Sequence, residues 1–212
     1  MEAMRRLFLL TLPGLAVGFI AGVFAGGLTA IVGQPAGAAV VAALALGVPL
    51  ALLGGGYTML LINKRVRLGG FAPVALYWLI AFPLARLLHE LTVTWYVDGS
   101  ATLPPETLGF LAFQGIISLG FAIGFLWLHE RVAPRWWRRL AESGDEVAEE
   151  VYLRYAGYAR VLYETKERRK AMRDQVRAAR RERRRPAATA GSDSAPADRP
   201  PARPGKSTAS RP

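Results

Sequence analysis

Arg86, His89 and Glu90 hold the most reactive side chains of the sequence for their setting, because they interrupt an otherwise apolar run. Arg86 lies four residues before Glu90, so the two share a helix face, with His89 one step around. An imidazole and a carboxylate beside a fixed positive charge could relay protons or hold an anionic substrate, which is the chemistry of a small transporter or channel. The competing reading is an internal Arg86–Glu90 pair that only anchors the segment. Arginine before glutamate is the weaker order for a helical pair, which favours partners on other helices. Trp95 and Tyr96 read as interfacial belt residues. Arg86 then lies roughly 13 Å inside that belt at the rise of a helix. Gln114 and Ser118, in the next apolar run, fall at similar depth and complete a candidate intramembrane polar site.

Hydrolytic chemistry finds no support. His89 and His129 are the two histidines of the chain, and they belong to opposite ends of the apolar region, so no histidine cluster forms. The absence of cysteine excludes disulfides, iron–sulfur clusters, thiolate zinc sites and a cysteine nucleophile. No nucleophile elbow is present. No catalytic, metal or cofactor residue is assigned, and a non-enzymatic protein is expected.

The elements that must position these groups are membrane spans. A bilayer core needs about 20 apolar residues of helix. Four stretches qualify, at 7–32, 36–62, 71–97 and 108–128. In hydrocarbon an unpaired amide costs several kcal/mol, so the runs are expected as helices. Arg5 and Arg6 precede the first run, Lys64, Arg65 and Arg67 separate the second and third, and Arg131 with Arg135 follows the fourth. The other two connections carry no Lys or Arg, so positive residues predict both termini in the cytoplasm of a cell membrane. Arg5-Arg6 before an apolar run also resembles a twin-arginine export signal, but further apolar spans follow, so a retained anchor is expected.

Gly14, Gly18, Gly22 and Gly26 repeat every fourth residue and form a stripe without side chains that another helix can approach closely. Gly120 and Gly124 form a shorter one. Either could pack within one bundle or form an oligomer interface. Gly54-Gly55-Gly56 reads as a flexible or unwound segment. Arg135-Trp136-Trp137-Arg138-Arg139, just past the last run, reads as a lipid-headgroup anchor.

Beyond it, Ser143-Gly144-Asp145-Glu146 reads as a capping box opening a helix that could continue to Pro186. Ala148, Val151, Tyr155, Tyr158, Leu162, Thr165, Arg169, Met172, Val176 and Ala179 alternate three- and four-residue steps, the spacing of a heptad seam interrupted at Thr165 and Arg169. Much of the formal net charge of +11 lies here. Anionic lipid, a homo-oligomer or a membrane-protein partner are the expected contacts, and nucleic acid ranks last because no aromatic interleaves the final arginines. Residues 186–212 are Pro/Ala/Ser-rich and are expected to be disordered.

The expected architecture is therefore an all-α membrane protein. It comprises a four-helix transmembrane bundle (1–128), a juxtamembrane anchor and long cytoplasmic amphipathic basic helix (129–185), and a tail (186–212). The arginine-rich, Ala/Gly-rich composition points to a bacterial source.

Overall fold

The computed structural model describes residues 1–189, with side chains through Glu182. The first four residues of the expected tail, 186–189, continue α5 instead, and the rest, from residue 190 on, lies outside the described residues. Five helices follow one another: α1 (Glu2–Ile31), α2 (Ala36–Ile62), α3 (Phe71–Asp98), α4 (Thr107–Glu142) and α5 (Glu146–Thr189). No strand occurs among the described residues. The first four helices are long and apolar enough to cross a membrane, and the chain reads as a multi-pass membrane protein. Pro13, Pro49, Pro83 and Pro134 each lie inside a helix that continues through them.

Helix ends are set by residues able to adopt a left-handed backbone. At the end of α1, Gly33 takes φ +82, with Gly33 N–H donating to Ala30 O and Gln34 N–H to Thr29 O. At the end of α4, Gly144 takes φ +93, with its N–H on Ala141 O and Asp145 N–H on Leu140 O. Both are Schellman closures, which satisfy carbonyls the helix leaves free. Lys64 closes α2 in the same way at φ +61, a conformation that strains a residue with a Cβ.

The helices alternate in direction. The N-terminus, the α2–α3 loop and the α4–α5 turn therefore share one end of the bundle, called here the root. Around the bundle α1 packs most closely on α2, α2 on α3, α3 on α4, and α4 returns to α1. The core is an aromatic chain. Trp78 lies edge-on to Tyr77 and Phe121 and packs against Phe125, Phe125 meets Tyr57 and His129, and His129 meets Trp137, which reaches Tyr155. Large apolar residues such as Phe24, Leu52, Ile80, Ile116 and Ile123 point outward, as lipid-facing positions require.

Three sequence expectations change. The fourth span does not stop at 128: α4 runs unbroken to Glu142, so the expected anchor segment is the last third of that helix. Gly54-Gly55-Gly56 is helical, and Gly54 and Gly55 are buried against α1. The cause is mutual. A Cβ on Gly14 would overlap Gly54 O, and one on Gly18 would overlap Leu50 O. Gly22 and Gly26 similarly meet the Gly47, Ala43 and Ala39 backbone. Finally, Gly120 and Gly124 are not a packing stripe in this fold. Nothing lies within 4 Å of where their Cβ atoms would stand, because they face away from the neighbouring helices.

The chain divides into two compact units, Met1–Arg160 and the residues from Val161 on, and α5 contributes to both.

Candidate functional site

His129 is fully buried near the root, as is Thr58 beside it. Its Nε2 lies 3.0 Å from Thr58 Oγ1, and the Thr58 hydroxyl lies 3.0 Å from Gly54 O in its own helix. That hydroxyl has one hydrogen, which goes to the carbonyl, so His129 Nε2 carries the donor to Thr58 and Nδ1 keeps a bare lone pair. Nδ1 is buried with no hydrogen-bond partner among the described residues, as is one carboxylate oxygen of neighbouring Glu130. The close approach at Gly14 is what sets this arrangement, since a Cβ there would overlap both Gly54 O and Thr58 Oγ1. Phe125 stacks on the imidazole at 5.5 Å, and Tyr57 and Trp137 meet it edge-on.

Trp136 and Trp137 are not a headgroup anchor. Trp137 is fully buried and Trp136 half-buried, and both indoles turn toward α1. Trp136 Nε1–H donates to Leu9 O at 2.7 Å and Trp137 Nε1–H to Leu10 O at 3.0 Å. Pro13 explains the first bond, since it has no N–H to give the carbonyl four residues earlier. The α4 helix carries the donor that α1 lacks. Arg135, Arg138 and Arg139 of the same segment do remain exposed. An outward aromatic–cation pair is formed instead by Trp127 and Arg131, whose guanidinium sits 4.5 Å from the indole centroid.

Past the Gly144 turn, the first part of α5 (146–160) is tied to the root by ionic and capping contacts. Its N-cap is Asp145, not Ser143. Ser143 bonds back to Leu140 O at the end of α4, while Asp145 Oδ1 accepts from Ala148 N–H at 3.0 Å. The Arg6 guanidinium grips the same carboxylate at 2.7 and 3.2 Å. That bond, with help from the Ala148 and Val147 amides, holds the Asp145 carboxyl below its usual range against a smaller opposing effect of burial. Lys64 pairs with Glu150 and lowers that carboxyl as well, which places an attractive contact on the strained left-handed residue. Arg154 Nη1 donates to Leu61 O and Ile62 O at 3.3 and 3.4 Å, so a cation of α5 caps the C-terminus of α2. Ala148, Val151 and Tyr155 are buried, and burial pushes the Tyr155 phenol up.

The intramembrane constellation comes together only in part. Arg86 Nη1 donates to His89 Nδ1 at 2.9 Å. Arg86 and Glu90 are both half-buried and form no ion pair with each other among the described residues. Gln114 and Ser118 are buried on α4, but the Ser118 hydroxyl donates to Gly115 O of its own helix rather than reaching Arg86.

Two open recesses flank these groups. At the root, about 740 Å³ is lined by Arg5, Arg6, Leu9, Leu140, Asp145 and Glu146. Between α3 and α4, about 500 Å³ is almost wholly apolar, floored by Pro83 and Gly115 and walled by Leu79, Leu84, Leu111 and Ile116. In the second unit, every side chain over 161–182 is exposed. Among the described residues no group of three or more His, Cys, Asp or Glu could hold a metal ion. Neither family models, nor curated proteins, nor solved structures give any match to the chain.

Proposed function

We propose that this chain is a non-enzymatic protein of the bacterial cell membrane, with both termini cytoplasmic, that organises an anionic lipid surface through the basic part of α5. The observation that carries the reading is how charge is sorted around the exposed seam. With Leu162, Arg169 and Val176 at one core position of the heptad and Thr165, Met172 and Ala179 at the other, the flanking positions hold four cations, Lys166, Arg168, Arg173 and Arg180, against one acid, Glu182. The opposite face is mixed, holding Glu164, Glu167 and Asp174 together with Lys170, Arg177 and Arg181. An apolar stripe bordered mainly by cations, on a helix with an excess of basic residues, suits a segment lying among anionic headgroups. Each such cation contributes about 1 kcal/mol near the surface.

The same sorting weighs against a homotypic coiled coil. Its flanking pairs would set arginine against arginine, and Arg169 would occupy a core position. A separate membrane-protein partner would have to bring the acidic complement.

The chain has no cysteine, so a single Met172→Cys carries a fluorophore cleanly. In nanodiscs of anionic lipid the label on the full-length protein is expected to be shielded from an aqueous quencher, and exposed in neutral lipid or at high salt. Replacing Lys166, Arg168, Arg173 and Arg180 by Glu is expected to abolish the shielding. Equal quenching in both lipids would overturn the reading, and a shielded label in neutral lipid with a doubled mass would replace it with an oligomer.

A further inference from the structure

We propose that Lys166, Arg169, Lys170 and Arg173 form a site for a lipid headgroup carrying two phosphates, of the diphosphatidylglycerol type. The site rests on the reading of α5 as a lipid-surface helix and names the lipid. The four cations, with Leu162 and Thr165, line one shallow recess of about 580 Å³ on the side of α5. All six side chains are exposed. The cations lie within residues 166–173, roughly 10 Å of helix axis. Lys170 lies off the seam, yet it stands one turn from Lys166 and lines the same recess.

The concentration of charge singles out this ligand. Lys166 meets Arg169 at a step of three and Lys170 at a step of four, and Arg173 meets the same two residues from the other side. Like charges at these steps repel and oppose the helix. No acid lines the recess, and none of the four cations is ion-paired among the described residues. A helix with its cations spread out would adhere to an anionic surface without this repulsion. Arg169 sharpens the point. It takes a core position of the seam, where a helix that merely lay among headgroups would carry an apolar residue.

A headgroup with two phosphates turns the repulsion into binding. The Cβ atoms of Arg169 and Arg173 stand about 6 Å apart at a step of four, and each guanidinium can grip one phosphate through two N–H groups. Lys166 and Lys170 add point charges beside them. The phosphates share one glycerol bridge, so holding the first presents the second at high effective concentration. Two single-phosphate lipids would each have to be immobilised. Leu162, Met172 and Val176 are exposed on the same seam and give acyl chains an apolar contact that a soluble polyphosphate would leave uncovered. A second copy of the chain would bring cations to cations.

The test places the full-length protein, labelled at Met172→Cys, in nanodiscs of neutral lipid doped with diphosphatidylglycerol or with twice the mole fraction of phosphatidylglycerol, so that lipid charge is matched. Half-maximal shielding of the label is expected at about tenfold lower charge with the two-phosphate lipid, the factor that one more charge-assisted contact supplies. Arg169→Gln should erase that preference and keep shielding by phosphatidylglycerol. Arg181→Gln removes the same charge outside the recess and should keep the preference. Equal shielding by the two lipids in the wild type, or an undiminished preference in Arg169→Gln, would overturn the site and leave the general lipid reading standing. No shielding by either lipid would remove that reading as well. Displacement of the two-phosphate lipid by a single-stranded oligonucleotide at physiological salt would overturn the site in favour of a nucleic-acid backbone.

Discussion

A backbone carbonyl has two lone pairs and can take an indole N–H from the side of a helix, and Pro13 leaves Leu9 O without its helical donor. Trp136 takes that carbonyl and Trp137 the next, so two adjacent side chains of α4 hold α1. Trp137→Phe deletes the donor and also leaves a smaller ring in a fully buried site. A buried bond lost this way costs about 1–3 kcal/mol, so the melting temperature in detergent is expected to fall clearly. Arg139→Gln, at an exposed position of the same segment, should leave it unchanged. A Trp137→Phe variant as stable as the wild type would show that the indole bond contributes nothing. Tryptophan between arginines past an apolar run has the composition of a headgroup anchor, and composition alone could not reveal that the donors point inward. The burial of His129 is legible in the sequence. The buried line Ser118, Ala122, Phe125, His129, Ala133 and Trp137 keeps helical spacing straight through the polar residues at 129–131.

At the scale of the element, α1 and α2 touch through their backbones. Without a hydrophobic drive between helices in lipid, that close contact is where their packing energy lies. Gly18→Leu places a side chain where Leu50 O stands. Overpacking of this kind costs about 1–3 kcal/mol or more, and the variant is expected to lose thermal stability and expression. Gly120→Leu, with open space at its Cβ, is expected to be neutral in the same assay. The start of α5 adds a pH dependence. Because Arg6 depresses the Asp145 carboxyl, the Arg6–Asp145 contact is fully present above the carboxyl's unfolded value and is lost as pH falls through the lower folded one. Acidification from neutral pH should therefore release the root of α5, visible as rising proteolysis near Ser143. Asp145→Ser, which keeps a helix cap and removes the charge, should be cleaved readily at neutral pH and lose that part of the acid response. An unchanged pH profile in Asp145→Ser would remove the ion pair from the account. The expected cap at Ser143 missed by two residues because the turn between α4 and α5 is a closed Schellman bend, and the serine serves the helix before it.

For the whole molecule, the alternating basic connections predict sidedness. In a cysteine-free background, a membrane-impermeant thiol reagent added to intact cells is expected to label Gln34→Cys and to leave Arg65→Cys unlabelled until the membrane is opened. The reverse pattern would invert the topology and place the basic helix outside. The four spans were legible because hydropathy is a property of each stretch taken alone, and lipid reads it locally. The helix 36–62 coincides with its expected limits, since Pro35 precedes it and charge follows it. What the tertiary structure alone decided is which groups meet. Trp137 finds Leu10 across 127 residues of chain, Thr58 finds His129, and Arg86 stays apart from Glu90 although the two share a helix face. Spacing sets which side of a helix a residue occupies, but a donor is committed only when another helix brings an acceptor within reach.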